Sequence, residues 1–334
     1  MNCGIAALDR LMSDASGPAI EPTDREAVGA VQALLSGHGF HGMPCILDAS
    51  CGLFGSRTEA AVTAFRATQG LAASAAVDAA TLRALVTVPA STPVLSRAYL
   101  GFVLDLSFTG LLPMAAVTMQ LEGGGRFCAA NANTDRCGLS FGLIQWAQKP
   151  GRLHELLLAM DTVHPDRFTR IFGGGDAGLA RALLTHTSKA SGGVDSRTGV
   201  TTDARFDLVA EPWCSRFRAA GRDPVFQKQQ VAVAIDAFEQ SLRRIRNTTP
   251  VVASQRGLTA MLDVANQFGD SGAAAVARAV MRVGMTELEF LVALESETVA
   301  RVSRKYGNGS PEALGTASRR QLVRTTPWLS DSVV

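Results

Sequence analysis

From about residue 94 onward the hydrophobic pattern of this chain is helical with one exception, residues 127–146. There Gly138-Leu139-Ser140-Phe141-Gly142-Leu143-Ile144 has the glycine-punctuated apolar pattern of a small hairpin or sheet. The chain must therefore fold mainly as helices, with a little β-structure confined to one place. An apolar run from Leu111 to Leu121 ends in Glu122 just before that place, and Gly123-Gly124-Gly125 follows. A second carboxylate, Asp135, stands at the mouth of the strand pattern.

Two carboxylates brought face to face are what cleavage of a glycosidic bond requires. One must be protonated, to give its proton to the leaving oxygen. The other must be ionised, to activate water or stabilise the sugar cation. Glu122 ends an apolar run near a helix C-terminus, where poor solvation and the helix dipole both favour the neutral acid. Asp135 sits in the polar loop Asn131 to Asp135, which suits an ionised base or stabiliser, although Asn-x-Asn-Thr-Asp is also ordinary turn chemistry. Ser140 is placed to position the attacking water, or serves as a plain strand hydroxyl. Gln145 and Trp146 are expected along the cleft, the amide bonding an N-acetyl group and the indole stacking on a ring; a core role fits Trp146 equally well. The three glycines after Glu122 would let a sugar ring approach the backbone.

With 334 residues the chain has room for two domains and a sizeable core. Its 32 Lys+Arg against 30 Asp+Glu leave a net charge of +2, too small and too dispersed for a nucleic-acid partner. No membrane span is expected, because the longest apolar stretch, Tyr99 to Leu121, is interrupted by Asp105 and Pro113 and reads as two buried helices. Met1 to Met12 lacks the basic start and apolar core of a secretory signal. No nucleotide loop, metal cluster or Ser/His/Asp arrangement competes for attention, so neither a cofactor nor a metal is expected. His38, His41, Cys45 and Cys51 fit no standard zinc spacing and read as loop residues. Six cysteines include two close pairs, Cys45/Cys51 and Cys128/Cys137. They read either as reduced thiols or as loop-closing disulfides formed after export.

Residues 1–22 end in Ser16-Gly17-Pro18 and Glu21-Pro22 and read as a leader or linker. Residues 23–88 read as a three-helix domain. Thr23 or Asp24 caps its first helix over Arg25 to Leu35, the second starts near Ser56, and the third spans about Ala79 to Val86. After Pro89-Ala90-Ser91-Thr92-Pro93, residues 94–334 form the second domain. In it, residues 173–205 are a Gly/Ser/Thr-rich loop around a short helix, a candidate cleft wall. Asp223-Pro224 starts a long helix, and Thr286 with Glu289 makes a capping box.

The segment 24–86 resembles the small peptidoglycan-binding domain found on cell-wall hydrolases. The resemblance rests on Val31-Gln32, Leu34-Leu35, Gly37, Gly39-Phe40, Asp48, Gly52-Leu53-Phe54-Gly55, Thr58-Glu59, Ala61-Val62, Phe65, Gly70-Leu71, Val77-Asp78 and Thr81-Leu82. It departs from that family in the Ala49-Ser50-Cys51 insertion and in Arg66, where the family prefers Gln. Phe54 and Arg66 are the wall-contacting residues the resemblance implies.

The core Asp135-Arg136-Cys137-Gly138-Leu139-Ser140-Phe141-Gly142 is similar to the chitosanase branch of the lysozyme superfamily, as is Asp223-Pro224-Val225-Phe226 with Gln229 and Gln230. The resemblance implies a lysozyme-like α+β domain with Glu122 as acid and Asp135 as base or stabiliser. Arg136 and Arg152 would then meet wall carboxylates or stand as solvated surface groups. Together the two resemblances imply a monomeric muramidase that hydrolyses the β-1,4 link of peptidoglycan. With no secretory signal, it would reach the periplasm or wall as a phage endolysin or as a secretion-system effector with an immunity protein. A lytic transglycosylase, a chitosanase and a non-catalytic wall-binding protein are the competing readings.

Overall fold

The structure, a computed structural model, describes residues 2–43, 48, 50–188, 192–326 and 328–333. The chain forms two compact units, one of Met1–Cys45, Ser50–Phe108 and Glu122–Ala234, the other of Ile46–Ala49, Thr109–Leu121 and Ile235–Val334. The fold is mainly helical with one small antiparallel sheet, the class expected from the hydrophobic pattern.

The first unit opens with α1 (Ala6–Ser13), α2 (Arg25–Gly37), α3 (Ser56–Thr68) and α4 (Ala79–Thr87). Asp24 caps α2 as expected, its Oδ1 accepting the Ala27 amide at 3.1 Å. Asp78 caps α4 in the same way, accepting the Thr81 amide at 2.8 Å. Val28, Val31, Leu34 and Leu35 of α2 are buried with Val62 and Phe65 of α3 and Leu82 and Leu85 of α4. The stretch expected as a leader is instead part of this core. Leu8 and Leu11 of α1 are fully buried, α1 packs on α4, and the Ile20 amide donates to Val77 O at 3.1 Å. Arg97 then ties the following segment back, donating to Gly4 O at 2.7 Å and pairing with Glu26.

The rest of this unit includes π-helical turns over Tyr99–Val103 and Thr169–Gly173 and the end of α5 (Leu112–Gly123). The sheet follows: β1 (Ala130–Ala132), β2 (Leu139–Phe141) and β3 (Trp146–Ala147). The strands run antiparallel in the order β1-β2-β3, with Asn131 opposite Ser140 and Phe141 opposite Trp146. Next come α6 (Arg152–Val163), α7 (Pro165–Phe168), α8 (Ala177–Thr187), α9 (Trp213–Arg222) and the first part of α10 (Pro224–Thr248). Phe141, Phe172, Phe217 and Phe226 meet in tilted and edge-on pairs whose ring centroids are 5.0 Å apart for Phe141–Phe217 and 5.1 Å for Phe172–Phe217. This aromatic core holds the sheet against the helices. α10 starts at Asp223-Pro224 as expected, with Asp223 Oδ1 accepting the Val225 and Phe226 amides at 2.9 and 3.2 Å.

The second unit carries α11 (Gln255–Val280), α12 (Glu287–Tyr306) and α13 (Pro311–Thr325). The Thr286–Glu289 capping box is present at the start of α12. In the interior, Asp263 of α11 pairs with Arg319 and Arg320 of α13. Among the described residues no helix is long and apolar enough to cross a membrane.

Candidate active site

Glu122 lies in the last turn of α5 and is half-buried. The glycines after it do packing work. A Cβ on Gly123 would stand 2.8 Å from Gly142 O and 3.0 Å from Leu143 O, so only glycine lets the helix end come this close to the turn after β2. Gly124 and Gly125 hold left-handed φ values of 62° and 67°, which turn the chain so that Leu95 N donates to Gly125 O at 2.7 Å and Phe127 N to Pro93 O at 3.1 Å. Gln230, fully buried on α10, joins the two sides. Its Nε2 donates to Phe127 O at 3.0 Å and its Oε1 accepts the Leu143 amide at 3.1 Å.

Arg152, in the first turn of α6, is within electrostatic reach of Glu122. Burial pulls the pKa of this guanidinium below its ordinary value, and the charges of Glu155 and Glu122 oppose that pull. Arg152 is half-buried and is not the freely solvated surface arginine that the sequence allowed. The surroundings of Glu122 therefore include a cation as well as the apolar run that precedes it.

Asp135 is exposed at the tip of the β1–β2 hairpin. Its Oδ1 accepts the Cys137 amide at 3.1 Å, so the turn chemistry of this motif is realised. Arg136, next to it, is also exposed, with a left-handed φ of 61°. Asn131 Oδ1 accepts both the amide and the hydroxyl of Thr134 at 3.0 and 2.7 Å. Asn133 Oδ1 accepts the Gly138 amide at 2.9 Å.

Ser140 sits on β2 opposite Asn131 and is 3 % exposed. Gln145, at a left-handed φ of 53°, donates its Nε2 to Ala129 O and Gly142 O at 3.3 and 3.0 Å. Its amide is occupied in closing the turn between β2 and β3. Trp146 is 1 % exposed and packs under Gly142. The stacking expected of it finds no open ring face here, and the core reading describes it. Sequence reasoning met Gln230 only as part of a resemblance and passed over Gln227. Both are fully buried at i, i+3 on α10, and Gln227 accepts the Tyr99 hydroxyl at 2.8 Å. Amides at helix positions that should be apolar were the available signal.

In the N-terminal helices, Gln32 organises the Gly52-Leu53-Phe54 loop. It donates to Leu53 O and Thr58 Oγ1 at 3.0 and 2.9 Å and accepts the Gly52 amide at 2.9 Å. A Cβ on Gly52 would lie 2.3 Å from Arg25 O, so the loop requires glycine there. Phe54 is half-exposed and Leu53 exposed beside it, an apolar pair open to a ligand. Arg66 is not open to one. It is 4 % exposed, donates to Ala72 O at 2.9 Å, and bonds Thr81 Oγ1 and Asp78 in the interior. His38 is a structural loop residue, with Nε2 2.9 Å from Leu85 O.

Cys128 and Cys137 are not bonded to each other; the Cys128 thiol faces Arg218 O at 3.8 Å, and Cys137 Sγ lies 3.8 Å from Asp135 O. Burial pushes the Cys128 thiol up to about 11. Cys45 lies outside the described residues, and with it the Cys45/Cys51 pairing.

Residues 24–85 match the model of the peptidoglycan-binding domain family. No curated protein matches the chain. Among solved structures the chain is similar to a mutant chitosanase from Bacillus subtilis MY002 crystallised with 6 GlcN. That similarity has 13% sequence identity and a TM-score of 0.46, and covers 64% of this chain and 86% of that one.

Proposed function

We propose that this protein is a peptidoglycan hydrolase of the muramidase type. One observation carries the reading. A segment matching the peptidoglycan-binding family belongs to the same compact unit as a half-buried carboxyl, Glu122, at a helix end beside a small sheet whose hairpin tip carries Asp135. The binding segment holds the glycan and raises its local concentration at the cleaving residues. Glu122 gives its proton to the leaving glycosidic oxygen, and Arg152 steadies the carboxylate left behind. Asp135, at the open hairpin tip, activates water or stabilises the oxocarbenium ion on the far side of the sugar. Ser140 orients that water from β2. Arg136 meets acidic groups of the wall. The site of action is the periplasm or cell wall, reached by phage lysis or by a secretion apparatus, and an effector role would entail an immunity protein in the producer.

Mass spectrometry of fragments released from purified peptidoglycan tests the reading. Reducing N-acetylmuramic acid ends are the expected product. Anhydro ends would make the protein a lytic transglycosylase, cleavage of chitosan alone would make it a chitosanase, and intact glycan would leave a wall-binding protein.

A further inference from the structure

The hairpin tip that carries Asp135 is held from outside itself. Residues 194–201 form a second tight turn, with a bridge between Val194 and Thr201 and Asp195 N donating to Val200 O at 2.8 Å. Asp195 Oδ1 braces it by accepting the amides of Arg197 and Thr198 at 2.9 and 2.8 Å and the Thr198 hydroxyl at 2.9 Å. Its base is anchored where the Thr202 amide and hydroxyl donate to Gly193 O at 2.9 and 2.8 Å. The turn presents two things to the hairpin. Thr198 O accepts Asn133 Nδ2 at 3.1 Å. Gly199, at φ +69°, packs so closely that a Cβ would stand 2.1 Å from Asn133 Oδ1 and 2.5 Å from Arg136 C.

Asn133 is the residue on which both loops converge. One end of its amide closes the Asp135 loop on Gly138 and the other takes the second turn. Asn133 and Arg136, on either side of Asp135, both hold left-handed φ, 63° and 61°. Asn takes this conformation more readily than other residues, whereas Arg keeps it only where its surroundings hold it. The second turn packs against both left-handed residues that flank Asp135.

We infer that residues 194–201 are a positioning strap for Asp135, acting through Asn133. The inference rests on the reading of Asp135 as the base or stabiliser. The strap sets its distance from the sugar and leaves glycan binding to other residues.

The test uses the full-length protein and purified peptidoglycan. Gly199→Ala pushes the strap off the hairpin, Asn133→Ala removes both bonds while leaving the strap, and Arg197→Ala, at an exposed position whose backbone amide still donates to Asp195, serves as control. Rates are measured over a range of peptidoglycan concentrations, with thermal melting in parallel. Misplacing a reacting group by an ångström costs about 100-fold, so Gly199→Ala and Asn133→Ala are expected to lose at least about tenfold in kcat with KM near wild type, Tm being lowered in Gly199→Ala and near wild type in Asn133→Ala, and Arg197→Ala fully active. A general loss of folding would move Tm and KM as well. Asn133→Ala, at a partly exposed position, keeps the test open if Gly199→Ala does not fold. Full activity in both variants with Asp135→Asn inactive would overturn the strap alone. Full activity in Asp135→Asn would overturn the reading of Asp135, and the strap with it.

Discussion

Gly123, at the end of α5, faces the carbonyl oxygen of Gly142 so closely that a Cβ would stand 2.8 Å from it. The position of Glu122 is thus set by a helix end docked on the turn after β2, with no side chain between them. Because the opposing atoms are backbone, Gly123→Ala must move one element off the other. We expect a loss of about 1–3 kcal/mol in a urea titration, the usual cost of overpacking, and a larger proportional loss of peptidoglycan cleavage than the destabilisation alone would give. Wild-type activity in the folded variant would show that the docking does not set the Glu122 position.

Gln230 bridges Phe127 O and Leu143 N from within the core. Gln230→Leu keeps the volume and strands two buried backbone groups, each costing about 1–3 kcal/mol. Denaturation should show a total loss of at least about 2 kcal/mol. A neutral result would mean that the two groups find other partners.

Arg66 and Phe54 should separate cleanly. Arg66 is buried and paired with Asp78 and Thr81. Burial opposes ionisation of Asp78, but the Thr81 hydroxyl and amide, and after them Arg66, lower its pKa. Removing one partner of such a pair costs about 3–5 kcal/mol when fully buried, and Asp78 is partly exposed, so Arg66→Ala is expected toward the low end. Phe54 stands half-exposed on a loop fixed by Gln32. Phe54→Ala should fold normally and sediment less with purified sacculi. Equal binding by Phe54→Ala would place the wall contact elsewhere.

Two thiols predict alkaline behaviour. Burial raises Cys3 from 9.0 to about 12 and Cys128 from 9.0 to about 11. Their folded-state values lie above the unfolded one, so the stability linked to the neutral thiols is fully present below pH 9 and is lost as pH rises through 9 toward 11 and 12. Tm should fall over that range, and Cys3→Ala should lower Tm at neutral pH while flattening the alkaline decline. An unchanged slope would exclude Cys3 as a contributor.

Much of the fold was legible because its signals are local. Asp24, Asp223 and the Thr286–Glu289 box start helices where their side chains can cap, and the glycine-punctuated run at 138–144 is where β2 and the turn after it form. What escaped were features set by distant partners. α1 has no side-chain cap, and its Leu8 and Leu11 declare themselves only once α4 is beneath them. Arg66 looks like a surface cation until Asp78 and Thr81 close over it. Trp146 and Gln145 follow β2 closely enough to suggest a cleft, yet the tight turn at Gly142 sends the indole into the core and the amide onto backbone carbonyls. Arg152 beside Glu122 joins a helix start to a helix end across the whole sheet in sequence, a pairing that no spacing rule announces.

The most direct measurement compares wild type with Glu122→Gln in two assays on the same purified peptidoglycan, co-sedimentation and release of soluble fragments. Removing the proton donor while keeping the shape should abolish fragment release and leave sedimentation unchanged. Fragment release by Glu122→Gln at the wild-type rate would contradict the assignment of Glu122 as the acid.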